Sequence, residues 1–96
     1  MSYIKQGGTM YIKHTEIATP GGLHSKSASN FVQTAMKYQS EIYIVKEDEQ
    51  INCKSILGLL AGALKTGAAV AVKAEGPDEK EAVNTLCKLI ESPNTI

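Results

Sequence analysis

The chain is 96 residues long, 43% hydrophobic and 21% charged, with a formal net charge of zero. One domain of that size buries roughly 60–65% of its unfolded surface and folds without disulfide or metal staples. The neutral balance gives no broad pull on nucleic acid or anionic membrane, and no apolar run nears the ~20 residues of a membrane-spanning helix.

Residues 1–9 are polar, carry Gly7-Gly8 and show no period, and they lack the apolar centre of a signal peptide. They read as a disordered or non-native extension, with Met10 a candidate natural start and residues 10–96 forming the domain. Tyr11 to Ile17 alternates like a strand, and Pro20-Gly21-Gly22 breaks it. Apolar residues at 28, 31, 32, 35 and 36 follow a helical period, predicting an amphipathic helix over 25–37. Ser40 to Lys46 reads as a β-branched and aromatic strand, Glu47-Asp48-Glu49 as a solvated turn, and Gln50 to Cys53 as the returning strand. Ser55 to Ala63 is a short apolar helix containing Gly58 and Gly62. Ala68 to Glu75 is a strand ended by Gly76-Pro77. Asp78 opens the last helix, with Glu81 three residues on as a capping box, and Pro93 lies just past its end.

The order is β-α-β-β-α-β-α. It predicts an α+β open-faced sandwich: a four-stranded, antiparallel sheet with three helices on one face and the other face left to solvent. Phe31, Val32, Ala35, Val83, Leu86 and Ile90 are expected in the core. Cys53 and Cys87 are outside CxxC spacing and read as half-buried free thiols in a reducing compartment. No metal-ligand spacing appears, and no cofactor is expected. His14 reads as a strand residue without chemistry, since no second ligand or base accompanies it.

One stretch carries chemistry: Pro20-Gly21-Gly22-Leu23-His24-Ser25-Lys26-Ser27-Ala28-Ser29. A helix starting at Ser25 makes His24 its N-cap, where the first amides lack intrahelical partners and the dipole is positive. A phosphoryl group on the ring would meet the amides of Ser25 and its neighbours, a ready anion site. The bland alternative is a capping histidine with no role, and spacing alone leaves both open.

Three blocks resemble the HPr family, the histidine-containing phosphocarriers of the phosphoenolpyruvate-dependent sugar phosphotransferase system. GLHSKSASNFVQ is similar to the family's GLH-A-R-P-A segment. CKSILGLLAG is similar to its K-S-I-M-G stretch around a regulatory serine. AEGPDEKEAVNTLCKLI is similar to the segment opening its last helix. The blocks lie in order over residues 11–91. The resemblance implies a cytoplasmic phosphoryl carrier, not an enzyme, with His24 accepting phosphate from phosphorylated enzyme I and passing it to sugar-specific enzyme IIA domains. It implies that Ser55 is open to phosphorylation by a serine kinase and reversal by a phosphorylase. The alternative implied function is an HPr-like regulator acting mainly through phospho-Ser55 and a transcription-factor partner in carbon catabolite control.

Two positions depart from the family. Lys26 replaces an arginine, a point charge in place of a bidentate fork, and the looser geometry would slow transfer ~10-fold or more. Ser27 replaces a proline, with an expected loss of first-turn stiffness of ~0.4–1 kcal/mol. The short helix carries Ile56, Leu57, Leu59 and Leu60, more than one face can bury. Ile56, Leu57 and Leu60 are therefore expected in a docking patch, rimmed by Ser29, Gln33 and Lys54. A monomer is the expectation for a relay that shows one face to several partners. A hydrolase using His24 alone lacks a partnered acid, base or metal set.

Overall fold

The computed structural model describes residues 10–92. Seven elements follow in chain order: β1 (Tyr11–Glu16), α1 (Ser25–Ala35), β2 (Glu41–Lys46), β3 (Glu49–Asn52), α2 (Ile56–Ala61), β4 (Ala69–Glu75) and α3 (Glu79–Glu91). The strands form one antiparallel sheet in the order β1-β4-β2-β3, so the last strand in sequence runs through the middle. This is the expected βαββαβα open-faced sandwich.

Strand alternation sorts the faces. Ile42, Ile44, Val70, Val72 and Ala74 point into the helix layer and are buried, with Ile44 opposite Val72 on one side and Ile51 on the other. The opposite face carries Ile12, His14, Tyr43 and Lys73, and the Lys73 ammonium stands 5.9 Å from the centre of the Tyr43 ring. His14 is exposed there, opposite Ala71. Helix α3 closes the core with Ala82, Val83, Leu86, Cys87 and Ile90. Phe31 and Ala35 of α1 join it, whereas Val32 is only half-buried at its margin. Met36, expected on the apolar stripe, is 61% exposed because α1 ends at Ala35 and the stripe ends with it.

Three local expectations are corrected. The β2–β3 turn is tighter than the acidic run suggested: Glu49 already pairs with Lys46, and Glu47 takes the left-handed conformation (φ 54°) that a two-residue hairpin loop demands. Asp78 does cap α3 by position but makes no side-chain cap bond. Its carboxylate instead accepts from the amides of Gln39 and Ser40 and from the Ser40 hydroxyl, tying the loop before β2 to the start of α3. The reaching-back carboxylate is Glu79, not Glu81, accepting from the Gly76 amide at 3.0 Å. Cys53 and Cys87 are free, as expected, but fully buried rather than half-buried. The assignment of residues 1–9 as an extension lies outside the described residues.

Candidate functional site

The site grows from the way the chain enters α1. Ile17 and Gly67 exchange backbone hydrogen bonds with their neighbours across the end of the β1–β4 pair: Ile17 donates to Ala68 and Gly67 donates to Ile17. The chain then turns through Gly21 and Gly22, both left-handed at φ +76° and +78°. Glycine is required at the second of these twice over. A Cβ on Gly22 would stand 2.2 Å from the Leu64 carbonyl oxygen, so the conformation and the space both exclude a side chain. The Gly22 amide donates to Thr19, the Leu23 amide to Leu64, both at 2.8 Å, and the Thr66 hydroxyl to the Thr19 carbonyl at 2.6 Å. Leu23 and Leu64 are buried beneath.

His24 follows this anchored turn. It is the N-cap of α1, with extended backbone (φ −152°, ψ 161°), and it is exposed. Its ring lies against Gly21, where an added methyl would come within 2.6 Å of Nε2. Ser25 and Lys26 occupy the first two positions of the helix, and their amides have no intrahelical acceptor. Lys26 is exposed. Ser27, by contrast, is buried, its hydroxyl accepting from the His24 amide at 3.1 Å. Sequence reasoning treated Ser27 only as a missing proline. The signal it overlooked was a serine three residues beyond an N-cap, the spacing at which a side chain reaches back to the cap amide.

Ser55 is placed at the opposite end of a second helix. It is the N-cap of α2, and its Oγ accepts from the Gly58 amide at 3.1 Å. Two contacts fix how α1 and α2 lie. The Leu23 amide, just before α1, bonds the Leu64 carbonyl beyond α2, while Lys54 Nζ, just before α2, bonds the Tyr38 carbonyl beyond α1 at 2.7 Å. The two helices therefore run antiparallel, with the His24 turn at the far end of α2 from Ser55. The six residues of α2 span about 9 Å. Along that span Ile56, Leu57 and Leu60 are 36%, 76% and 45% exposed, and only Leu59 is buried. Ser29 is half-buried and Gln33 exposed on α1. Lys54, expected on the polar rim, spends its ammonium on the Tyr38 carbonyl and so braces the two helices.

The two cysteines do not compete as nucleophiles. Burial pushes the Cys53 thiol well above its usual range and that of Cys87 up to about 11, aided in Cys87 by Glu91, so neither supplies a thiolate. Among the described residues no group of three or more His, Cys, Asp or Glu side chains is placed to hold a metal ion. No helix of the described residues is long and apolar enough to cross a membrane.

The sequence and the fold are both shared with known proteins. A family model described as the PTS HPr component phosphorylation site matches residues 12–92. The chain belongs to the HPr family. It is 39% identical over 82 residues to the HPr-like protein Crh of Halalkalibacterium halodurans, covering 85% of this chain and 98% of that one. It is 39% identical over 75 residues to the phosphocarrier protein HPr of Neisseria meningitidis serogroup A, covering 78% and 84%. The crystal structure of HPr-C-His from Thermoanaerobacter tengcongensis superposes with a TM-score of 0.81 at 41% identity, over 85% of this chain and 92% of that one. This HPr-family chain is thus similar both to a phosphocarrier and to an HPr-like protein with a separate name.

Proposed function

We propose that this HPr-family protein is a stoichiometric phosphoryl carrier of the cytoplasm. It takes phosphate on His24 from phosphorylated enzyme I and delivers it to enzyme IIA domains. The observation that carries the reading is the exposed His24 at the N-cap of α1, held on an anchored turn beside the amides of Ser25 and Lys26. In the forward step the ring's Nδ1 lone pair attacks phosphorus and a P–N bond forms as the donor's bond to phosphorus breaks. The phosphoryl oxygens then face the first-turn amides and the positive end of the helix, with the Lys26 ammonium adding a mobile point charge. In the second step a nucleophile of the next acceptor attacks phosphorus as the P–N bond breaks and the ring nitrogen regains its lone pair, and the lability of that bond preserves the transfer potential. Ile56, Leu57 and Leu60 supply an apolar docking face, with Ser29, Gln33 and the stem of Lys54 at its edge.

Incubation with phosphoenolpyruvate and enzyme I tests this: acid-labile phosphate should appear on wild type and be absent from His24→Ala. Failure of wild type to be labelled would reject the carrier reading.

A second reading has its own support in the similarity to an HPr-like protein Crh and in the Lys26 substitution. In it, phosphorylation of Ser55 by a serine kinase, reversed by a phosphorylase, turns the α2 face toward a transcription factor. The N-cap position supports Ser55 as a target, since added negative charge is favourable at a helix start. Incubation with the kinase and ATP discriminates: an acid-stable phosphate lost in Ser55→Ala supports the regulator, and equal labelling of both proteins rejects it.

A further inference from the structure

Ser27 is buried (7% exposed) on the first turn of a helix whose neighbouring His24 and Lys26 are exposed. Its Oγ lies 3.1 Å from the His24 amide, 2.9 Å from the Gly22 carbonyl and 3.0 Å from the His24 carbonyl. A hydroxyl has one proton, so it donates to one of those two carbonyls at a time while accepting the His24 N–H throughout. The oxygen thus bridges the residue before the cap pair to the cap itself. It closes a loop of Gly22, Leu23, His24 and Ser27 around a single atom.

The consequences fall on His24. Its amide would otherwise be one of the orphan donors of a helix start, turning toward water or toward an arriving anion. With that amide occupied and the Ser27 amide given to the His24 carbonyl at 3.0 Å, the first-turn donors for which the helix itself offers no acceptor are those of Ser25 and Lys26. The ring is held on a backbone bracketed on one side by Gly21 and on the other by this clasp.

We propose that Ser27 is a positioning residue for phosphoryl acceptance at His24. Its buried hydroxyl fixes the cap backbone that carries the imidazole and reserves those two amides for the phosphoryl oxygens. The inference rests on the carrier reading of His24. It also reverses the expectation that serine at this place merely loosens the turn: a hydrogen-bonded clasp takes over the stiffening that a proline ring supplies in the family.

The test combines amide exchange with transfer kinetics on wild type, Ser27→Ala and Ser27→Thr. In wild type the His24 amide should exchange at least tenfold more slowly than an unstructured peptide, although it belongs to an exposed cap. Ser27→Ala should lose that protection and lower kcat for phosphoryl acceptance from enzyme I about tenfold, the scale of one buried hydrogen bond, with KM within twofold because the α2 face is untouched. Ser27→Thr, which keeps the hydroxyl, should recover both readouts. Unprotected exchange of the His24 amide in wild type overturns the clasp whether or not the variants fold. Transfer by Ser27→Ala with unchanged kcat overturns the positioning role. A wild type that takes up no phosphate rejects the carrier reading and the positioning role with it, while the exchange result still judges the clasp.

Discussion

The two helix starts that carry the candidate chemistry are built in opposite ways. At α1 the cap is held by other residues: Gly22 and Leu23 are bonded to Thr19 and Leu64, and the buried Ser27 hydroxyl of the first turn takes the cap amide. The His24 side chain stays exposed beside that anchored turn. At α2 the cap residue does its own capping, its hydroxyl spent on the Gly58 amide. A group that must be free to react is supported by its surroundings; a group that supports its own helix changes that helix when it is modified. On this comparison a phosphate at His24 would add to a cap held by other groups, whereas a phosphate at Ser55 would replace an existing cap bond with a stronger, charged one.

Substitutions sharpen the contrast. The largest effect belongs to His24→Ala, which should abolish acid-labile labelling while leaving the melting temperature within a degree or two, since the ring is exposed; a large loss of stability would show that the ring does structural work. Gly22→Ala should cost about 3 kcal/mol in urea unfolding, combining a left-handed alanine with a Cβ driven onto the Leu64 carbonyl. Next comes Ser55→Ala, expected to cost about 1 kcal/mol in the same measurement through loss of the cap bond, with labelling of His24 intact. Leu57→Ala should change stability by less than about 0.5 kcal/mol, because the side chain is 76% exposed, yet raise KM for enzyme I several-fold.

The smallest effect lies away from both helix starts. Partial burial pushes the Asp78 carboxyl up, but hydrogen bonds from the Ser40 hydroxyl and from the Gln39 and Ser40 amides outweigh it and hold the group below the usual 3.8. A carboxyl lowered on folding contributes stability above its unfolded value, lost as the pH falls through its folded one. Wild type should therefore lose stability on acidification below about pH 4, and Asp78→Asn should flatten that part of the profile. An unchanged acid limb would place the titrating group elsewhere.

Much of this was legible in one dimension. The β-branched and aromatic run through Ile42, Tyr43, Ile44 and Val45 named a strand, and the stripe at 28, 31, 32, 35 and 36 named a helix, although Val32 and Met36 fall outside its buried part. The excess of apolar residues at Ile56, Leu57 and Leu60 marked a surface patch because a two-turn helix cannot hide four large side chains on one side. Less legible were features that depend on which distant segment arrives. Asp78 looked like a simple cap, yet the turn at Gln39 and Ser40 offered three donors and took its carboxylate. Lys54 looked like a rim charge, yet the end of α1 presented a bare carbonyl within its reach.

By itself, then, the order of residues determined the seven elements, the faces they bury and the histidine at the mouth of α1, because periodicity, glycine turns and cap spacing act between neighbours in the chain. The tertiary structure alone decided that β4 lies between β1 and β2, that α2 runs back along α1 from Ser55 to the His24 turn, and that the carbonyl of Leu64 anchors that turn. Those depend on pairings between segments far apart in sequence, where many partners are chemically acceptable and only joint packing of the whole core selects one.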